Sequence, residues 1–208
     1  GGNNAENHNH NDIGSYAVAL GKNTMAGDQG GPFSYPGDYF SAEAPTKYKI
    51  KGSFGHPVPV VDGKTQSAGA KAKAIVLRKE FTEERDLFSI DYTSAYSTPN
   101  LDKLIRTFVY DRQGEGNFTV SDEFTANVPI RFETAITTQA DWKVLDDTRL
   151  LLTSGTEQMI VNIEASGKDA FTSETIEVNA SAYTRIGIAL KEQAEKGYIW
   201  LKMQAKQL

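Results

Sequence analysis

The sequence predicts an all-β protein, an antiparallel double-sheet β-sandwich, and three observations carry that expectation. Apolar and polar residues alternate with a period of two in the clearest segments: Ile186, Ile188 and Leu190 against Arg185, Gly187, Ala189 and Lys191, and Ile130, Phe132 and Ile136 against Arg131 and Glu133. Such a strand has one buried face and one wet face. The punctuation is of the hairpin kind, with Gly114-Glu115-Gly116, Asp146-Asp147, Ser154-Gly155 and Ser166-Gly167-Lys168 at intervals typical of antiparallel sheets. No segment carries the apolar stripe of a stable helix. Residues 191–196 have helical propensity, but the stretch is short and stops at Gly197, so it reads as a loop. Many short strands with no crossover helices bury their apolar faces only by packing sheet on sheet.

Taken in order, 13–20 reads as a strand, followed by a turn at 21–23 and a short strand ending at Asp28, the two paired as a hairpin. Residues 29–37 hold three glycines and two prolines around Phe33 and Tyr35 and read as a structured loop, with Tyr39 and Phe40 as apolar anchors. His56-Pro57 leads a strand over 58–61 that ends in the turn Asp62-Gly63-Lys64. Further strands are expected over 70–78, 87–93, 104–112, 118–124, 129–136, 150–153, 158–164, 175–178, 185–191 and 198–203.

At 208 residues the chain is long enough to bury a core without staples, and no linker divides it, so 1–208 reads as a single domain. Lys plus Arg is 22 and Asp plus Glu is 27, so the net charge of 22 − 27 = −5 argues against non-specific nucleic-acid binding. The absence of cysteine excludes disulfides, thiolate metal sites and a cysteine nucleophile. No apolar run reaches the ~18 to 20 residues of a membrane span. The start at Gly1-Gly2, without an initiator Met, reads as a piece of a longer polypeptide.

The chemistry is densest in Asn7-His8-Asn9-His10-Asn11-Asp12. In an extended backbone His8 and His10 would share a face, as a metal or proton-transfer site requires. All three histidines fall in the first quarter of the chain with Asp28 between them, so His10, Asp28 and His56 can converge from neighbouring strand ends. Two imidazoles and a carboxylate suit Zn²⁺ with a fourth position for water, and serve other divalent ions as well. Plainer roles exist: His56 as a hydrogen-bonded turn residue, Asp28 closing an Asx turn ahead of Gly30, and Asp12 as an alternative ligand or a residue that orients the imidazoles.

The stretch 1–15, Gly-Gly-Asn-Asn-Ala-Glu-Asn-His-Asn-His-Asn-Asp-Ile-Gly-Ser, resembles the signature opening the β-sandwich domain of the heparinase II/III family of polysaccharide lyases. Met25-Ala26-Gly27-Asp28-Gln29-Gly30 with the downstream Tyr35 is similar to the family's Asp-Pro-Gly segment and its tyrosine. Gly55-His56-Pro57-Val58-Pro59-Val60-Val61-Asp62-Gly63 is similar to its His-centred strand, and 106–112 with 121–124 to its paired sandwich strands. Gln29 and Pro57 depart from the pattern, where Pro and Asn are common.

The resemblance implies the sandwich half of a lyase whose other half is an N-terminal α/α toroid, periplasmic or secreted. It implies metal ligation, usually of zinc, by His10, Asp28 and His56, a cleft-facing catalytic His8, and Tyr35 as a substrate-binding residue. It also implies β-elimination on an acidic, uronate-containing polysaccharide such as a glycosaminoglycan, with the catalytic tyrosine and the main neutralising residue in the toroid, so that the domain alone would be inactive. Its backbone between His8 and His10 must then be irregular, because the two rings have different jobs. The alternative is a non-catalytic carbohydrate-binding or structural sandwich that keeps a metal for stability. A free-standing metal hydrolase is disfavoured, since the His and Asp set offers no obvious general base.

Overall fold

Period-two patterning becomes two antiparallel sheets of unequal width in the structure, a computed structural model describing residues 3–6, 8–31, 34–178 and 181–206. Gly1, Gly2 and Asn7 of the opening motif and Phe33 of the glycine-rich loop lie outside the described residues. The strands are β1 (Asn3–Asn4), β2 (Ala17–Leu20), β3 (Asn23–Gly27), β4 (Val60–Val61), β5 (Gly69–Lys73), β6 (Ile75–Phe81), β7 (Arg85–Asp91), β8 (Leu101–Asp111), β9 (Asn117–Ile130), β10 (Phe132–Thr138), β11 (Asp141–Asp146), β12 (Arg149–Ser154), β13 (Glu157–Ala165), β14 (Asp169–Val178), β15 (Ser181–Leu190) and β16 (Ala194–Ala205). One helical turn, α1 (Ala44–Lys47), and two 3₁₀ turns, Ser53–Gly55 and Thr93–Ala95, complete the described elements. The wide sheet has the order β11-β12-β13-β16-β9-β8-β7-β6 and the narrow one β14-β15-β10-β4, with two small ribbons, β1-β5 and β2-β3.

The inner faces meet in one core. Leu104, Val120, Leu152, Val161 and Leu201 of the wide sheet face Phe132, Ile136, Ile186 and Ile188 of the narrow one, all buried. Phe124 and Phe132 stack across the interface with centroids 4.5 Å apart. Each such side chain contributes about 1.5–3 kcal/mol of burial.

A buried ion pair sits in this core. Arg106 on β8 is fully buried and forms a fork with Asp122 on β9, Nε to Oδ1 and Nη2 to Oδ2 both at 2.7 Å. Tyr92 and Thr134 each donate to the same carboxylate at 2.6 Å, which satisfies it. The remaining guanidinium nitrogen, Nη1, donates at 2.7 Å to the carbonyls of Gly14 and of Pro57. One core arginine thus pins the two N-terminal segments on which Asp12 and His56 lie.

The all-β sandwich expectation stands, with local differences. The strand expected over 13–20 is extended only from Ala17, because Gly14 adopts φ +86° and the preceding turn is held by Ser15 N–H donating to the Asp12 carbonyl. β9 continues through Pro129 to Ile130, and the chain crosses to the narrow sheet through Arg131 alone. β11 is an additional edge strand; nearly all of its residues are exposed, so it shows no apolar alternation to read.

The wet outer face expected for 185–191 is a correction. Arg185 is 2% exposed and Gly187 is buried, because the segment 39–56 lies over this face of the narrow sheet. Tyr39 and Ile50 pack there against Ile176, Val178 and Tyr183, and Arg185 pairs with Glu133 at 2.6 Å under the Phe54 ring. The narrow sheet is therefore covered on both faces, and the second cover carries the histidines' surroundings.

Candidate metal centre and polar groove

Two glycines aim the site. Gly27 ends β3 with φ +111°, and a Cβ there would lie 2.1 Å from the Tyr16 carbonyl oxygen. Asp28 follows directly and donates its N–H to that same carbonyl at 2.7 Å. Gly55 plays the same part before His56, where a Cβ would lie 2.2 Å from the Lys49 carbonyl oxygen. The chain reaches Asp28 and His56 only by passing where a side chain does not fit.

A buried glutamine fixes the third segment. Gln66 accepts the Ile13 N–H at 3.0 Å and donates to the Ile13 carbonyl at 2.8 Å, imitating a paired strand. Asn11 N–H donates to the Lys51 carbonyl at 3.0 Å, and Lys51 Nζ donates to the Tyr39 carbonyl at 2.6 Å. These bonds place the backbone of 10–13 against the segment that holds Tyr39 and His56.

The result is a chain of polar contacts. Tyr39 Oη lies 3.2 Å from His10 Nε2, His10 Nδ1 lies 3.0 Å from His56 Nε2, and His56 Nδ1 lies 3.3 Å from Asp28 Oδ2. His56 Nε2 is also 2.9 Å from the Ile50 carbonyl, which can only accept, so Nε2 carries the proton. His10 Nδ1 then accepts, and its Nε2 donates to Tyr39. Burial, the largest cause, pushes the His10 pKa down to about 4, in keeping with this neutral ring. Burial pushes the Tyr39 phenol up to about 12.

In the neutral ring, that tautomer leaves His56 Nδ1 with a lone pair. The atom is buried, has no hydrogen-bond partner among the described residues, and faces carboxylates. Asp12, Asp28 and His56 offer ligand atoms all within 4.8 Å of one another. A lone pair opposed to two carboxylates is repulsive unless a cation stands between them, and oxygen and imidazole donors of this kind suit Zn²⁺ and other divalent ions. The residues present fit a metal. Burial pushes the Asp12 carboxyl upward.

The structure therefore brings Asp28 and His56 together as expected, and adds Asp12 at ligand distance. His10 adjoins the group from the other side of the His56 ring. Asp28 also closes an Asx turn, Oδ1 accepting the Gly30 N–H at 2.7 Å, so its plainer role coexists with the ionic one.

His8 stands apart from this group. It lies in a turn, exposed, with its ring 4.4 Å from that of Phe40. Tyr35 is 58% exposed and its ring is 5.1 Å from both Tyr39 and Phe40. Phe40, called an anchor in the sequence, is thus the platform under both residues. Below His8 runs a polar groove of about 280 Å³, lined by Asn3, Asn9, His10 and Asp12 among others. Gln66 and Lys51 had no sequence signal: a lone Gln or Lys in a strand-rich sequence reads as surface.

No family model and no curated protein matches the chain. Solved structures do. The heparan sulfate lyase HepC from Pedobacter heparinus superposes with a TM-score of 0.74 at 15% identity over 97% of this chain. A structure of heparinase III gives 0.70 at 16% identity over 95%, and another heparinase III gives 0.73 at 11% over 95%. The shared property is the fold: the chain has the architecture of a segment of these enzymes. It spans only 30 to 32% of their length.

Proposed function

We propose that this chain is the β-sandwich domain of a polysaccharide lyase that cleaves a uronate-containing acidic polysaccharide by β-elimination, acting with a toroidal partner domain of the same polypeptide, outside the cytoplasm. The observation that carries the reading is His8, exposed on the Phe40 ring that also packs Tyr35, at the lip of a polar groove, in a fold shared with heparinase III structures. No helix among the described residues is long and apolar enough to cross a membrane.

In β-elimination the proton alpha to the uronate carboxyl leaves, and the glycosidic oxygen departs with the bonding electrons. The developing charge on the carboxylate has to be met by preorganised donors. Asn3 and Asn9 line the groove, and the His8 ring is free to hold or pass a proton at its lip. Tyr35 offers an exposed aromatic edge for the sugar. A divalent ion held by Asp12, Asp28 and His56, with His10 behind it, would supply charge neutralisation deep in the loop cluster. His56 is 1% exposed, so that role is structural, keeping the His8 segment aimed.

The test is turnover of uronate polymers by the longer polypeptide, read as ultraviolet absorbance of the unsaturated product. His8→Ala is expected to lower kcat by about 10² to 10⁴-fold, the range for a proton-transfer group; wild-type turnover in that variant would overturn the catalytic role. The second reading, a non-catalytic carbohydrate-binding sandwich with a stabilising metal, draws on the same depth of His56. It takes over if no polymer yields unsaturated product.

A further inference from the structure

The outer face of the wide sheet, opposite Arg106 and Asp122, carries a second concavity of about 470 Å³ that the groove does not touch. Its walls follow from register. Lys103 on β8, Thr125 on β9 and Lys196 on β16 stand in one cross-strand row, and Ile105, Glu123 and Tyr198 in the next. Residues in such a row share a face, so the two lysines flank Thr125 about 9.5 Å apart, one strand spacing on each side. The ladder slips on both outer strands at this level, between Leu101 and Lys103 and between Ala194 and Lys196. Paired irregularities of this kind bend the strands and re-aim side chains.

Both lysines are exposed, and neither has an ion-pair partner among the described residues. The row of Lys103, Thr125 and Lys196 carries two positive charges and no acid; Glu123 stands in the neighbouring row, and Glu164 beyond it at the Tyr198 hydroxyl. The aromatic wall is fixed: the Tyr198 hydroxyl donates to Glu164 at 3.2 Å, and its ring lies 5.0 Å from Trp200, which is 38% exposed. Two free ammonium groups over an aromatic wall, with hydroxyl and carboxylate partners between, is the composition of a small-ligand site for an anionic, ring-shaped molecule.

We propose that this concavity is a second saccharide-binding site. It takes an acidic sugar whose carboxylate or sulfate lies between Lys103 and Lys196 and whose ring lies against Tyr198, with Glu123 accepting from hydroxyls. The site goes beyond the lyase reading and does not depend on it.

The test is titration of the protein with a sulfated uronate disaccharide, mapped by amide chemical shifts. Perturbations are expected at 103–105, 123–125 and 196–198. Lys103→Ala with Lys196→Ala, and separately Tyr198→Ala, should each weaken that binding at least tenfold with an unchanged melting temperature, while Lys103→Arg with Lys196→Arg retains it. Binding that also weakens as salt rises supports the ionic part. Shifts confined to 3–13, absence of binding, or affinity unchanged in the double alanine variant would overturn the proposal. Inorganic sulfate binding as tightly as the disaccharide would reduce the site to an anion site, and a neutral disaccharide binding equally well would remove the lysines' role. A lyase that fails to turn over polymer leaves each of these outcomes readable.

Discussion

Arg106 donates from Nη1 to the carbonyl of Pro57 at 2.7 Å, joining the centre of the sandwich to the residue that follows His56. The same nitrogen reaches Gly14, two residues after Asp12. The buried pair with Asp122 is thus a strut between the core and the two segments that bring Asp12 and His56 together.

Removing one member of that pair leaves the other charge buried and uncompensated. Asp122→Asn is expected to cost about 3–5 kcal/mol of folding stability, read from the denaturant midpoint. A cost under about 1 kcal/mol would mean that the fork does not anchor the core.

The glycines before Asp28 and His56 predict an unusual sensitivity to one methyl group. Gly27→Ala sets a Cβ against the Tyr16 carbonyl and places alanine at positive φ, and Gly55→Ala sets one against the Lys49 carbonyl. Each should destabilise by about 1–3 kcal/mol or more. Each should also weaken divalent-metal binding at least tenfold, measured by titration; metal affinity equal to wild type in both would separate the glycines from the site.

The third ligand can be assigned by a pair of variants. With Asp12 in the ion-facing group and His10 behind His56, Asp12→Asn should lose the bound metal while His10→Ala keeps one equivalent by elemental analysis. The reverse outcome gives the third place to His10.

Asp169, at the start of β14, provides a pH test away from the site. Its Oδ2 is buried without a hydrogen-bond partner among the described residues, and burial raises its pKa. The protonated form is therefore favoured in the fold, and the penalty for ionisation is fully present above the folded pKa and vanishes as pH falls below the unfolded one, about 4. Asp169→Asn should raise the melting temperature at neutral pH, with the gain disappearing in acid. An equal gain at both pH values would contradict the burial effect.

Much of this molecule is legible in its sequence, for a physical reason. Strands with one face in the core write that face as alternation, and segments such as 130–136 and 186–190 show it plainly. β11 is silent because an edge strand with exposed side chains has no core to record. Arg185 misleads because its cover comes from residues 39–56, far away in the chain, and a local pattern cannot report a distant partner. In the site, the clustering of His10, Asp28 and His56 is visible in sequence, while the contribution of Asp12 depends on a turn that alternation rules cannot foresee. Phe40 under His8 is likewise a contact of folding, not of spacing.

The most direct measurement is a thermal melt of metal-free protein titrated with Zn²⁺, in wild type and in Asp28→Asn and His56→Ala. One equivalent should bind, and at a free concentration of about 100 Kd it should add about 2.7 kcal/mol, a rise of roughly 5 to 11 °C for a domain of this size. Both variants should lose the rise. A wild-type melt indifferent to zinc and to other divalent ions, or an undiminished rise in both variants, would contradict the proposed metal centre.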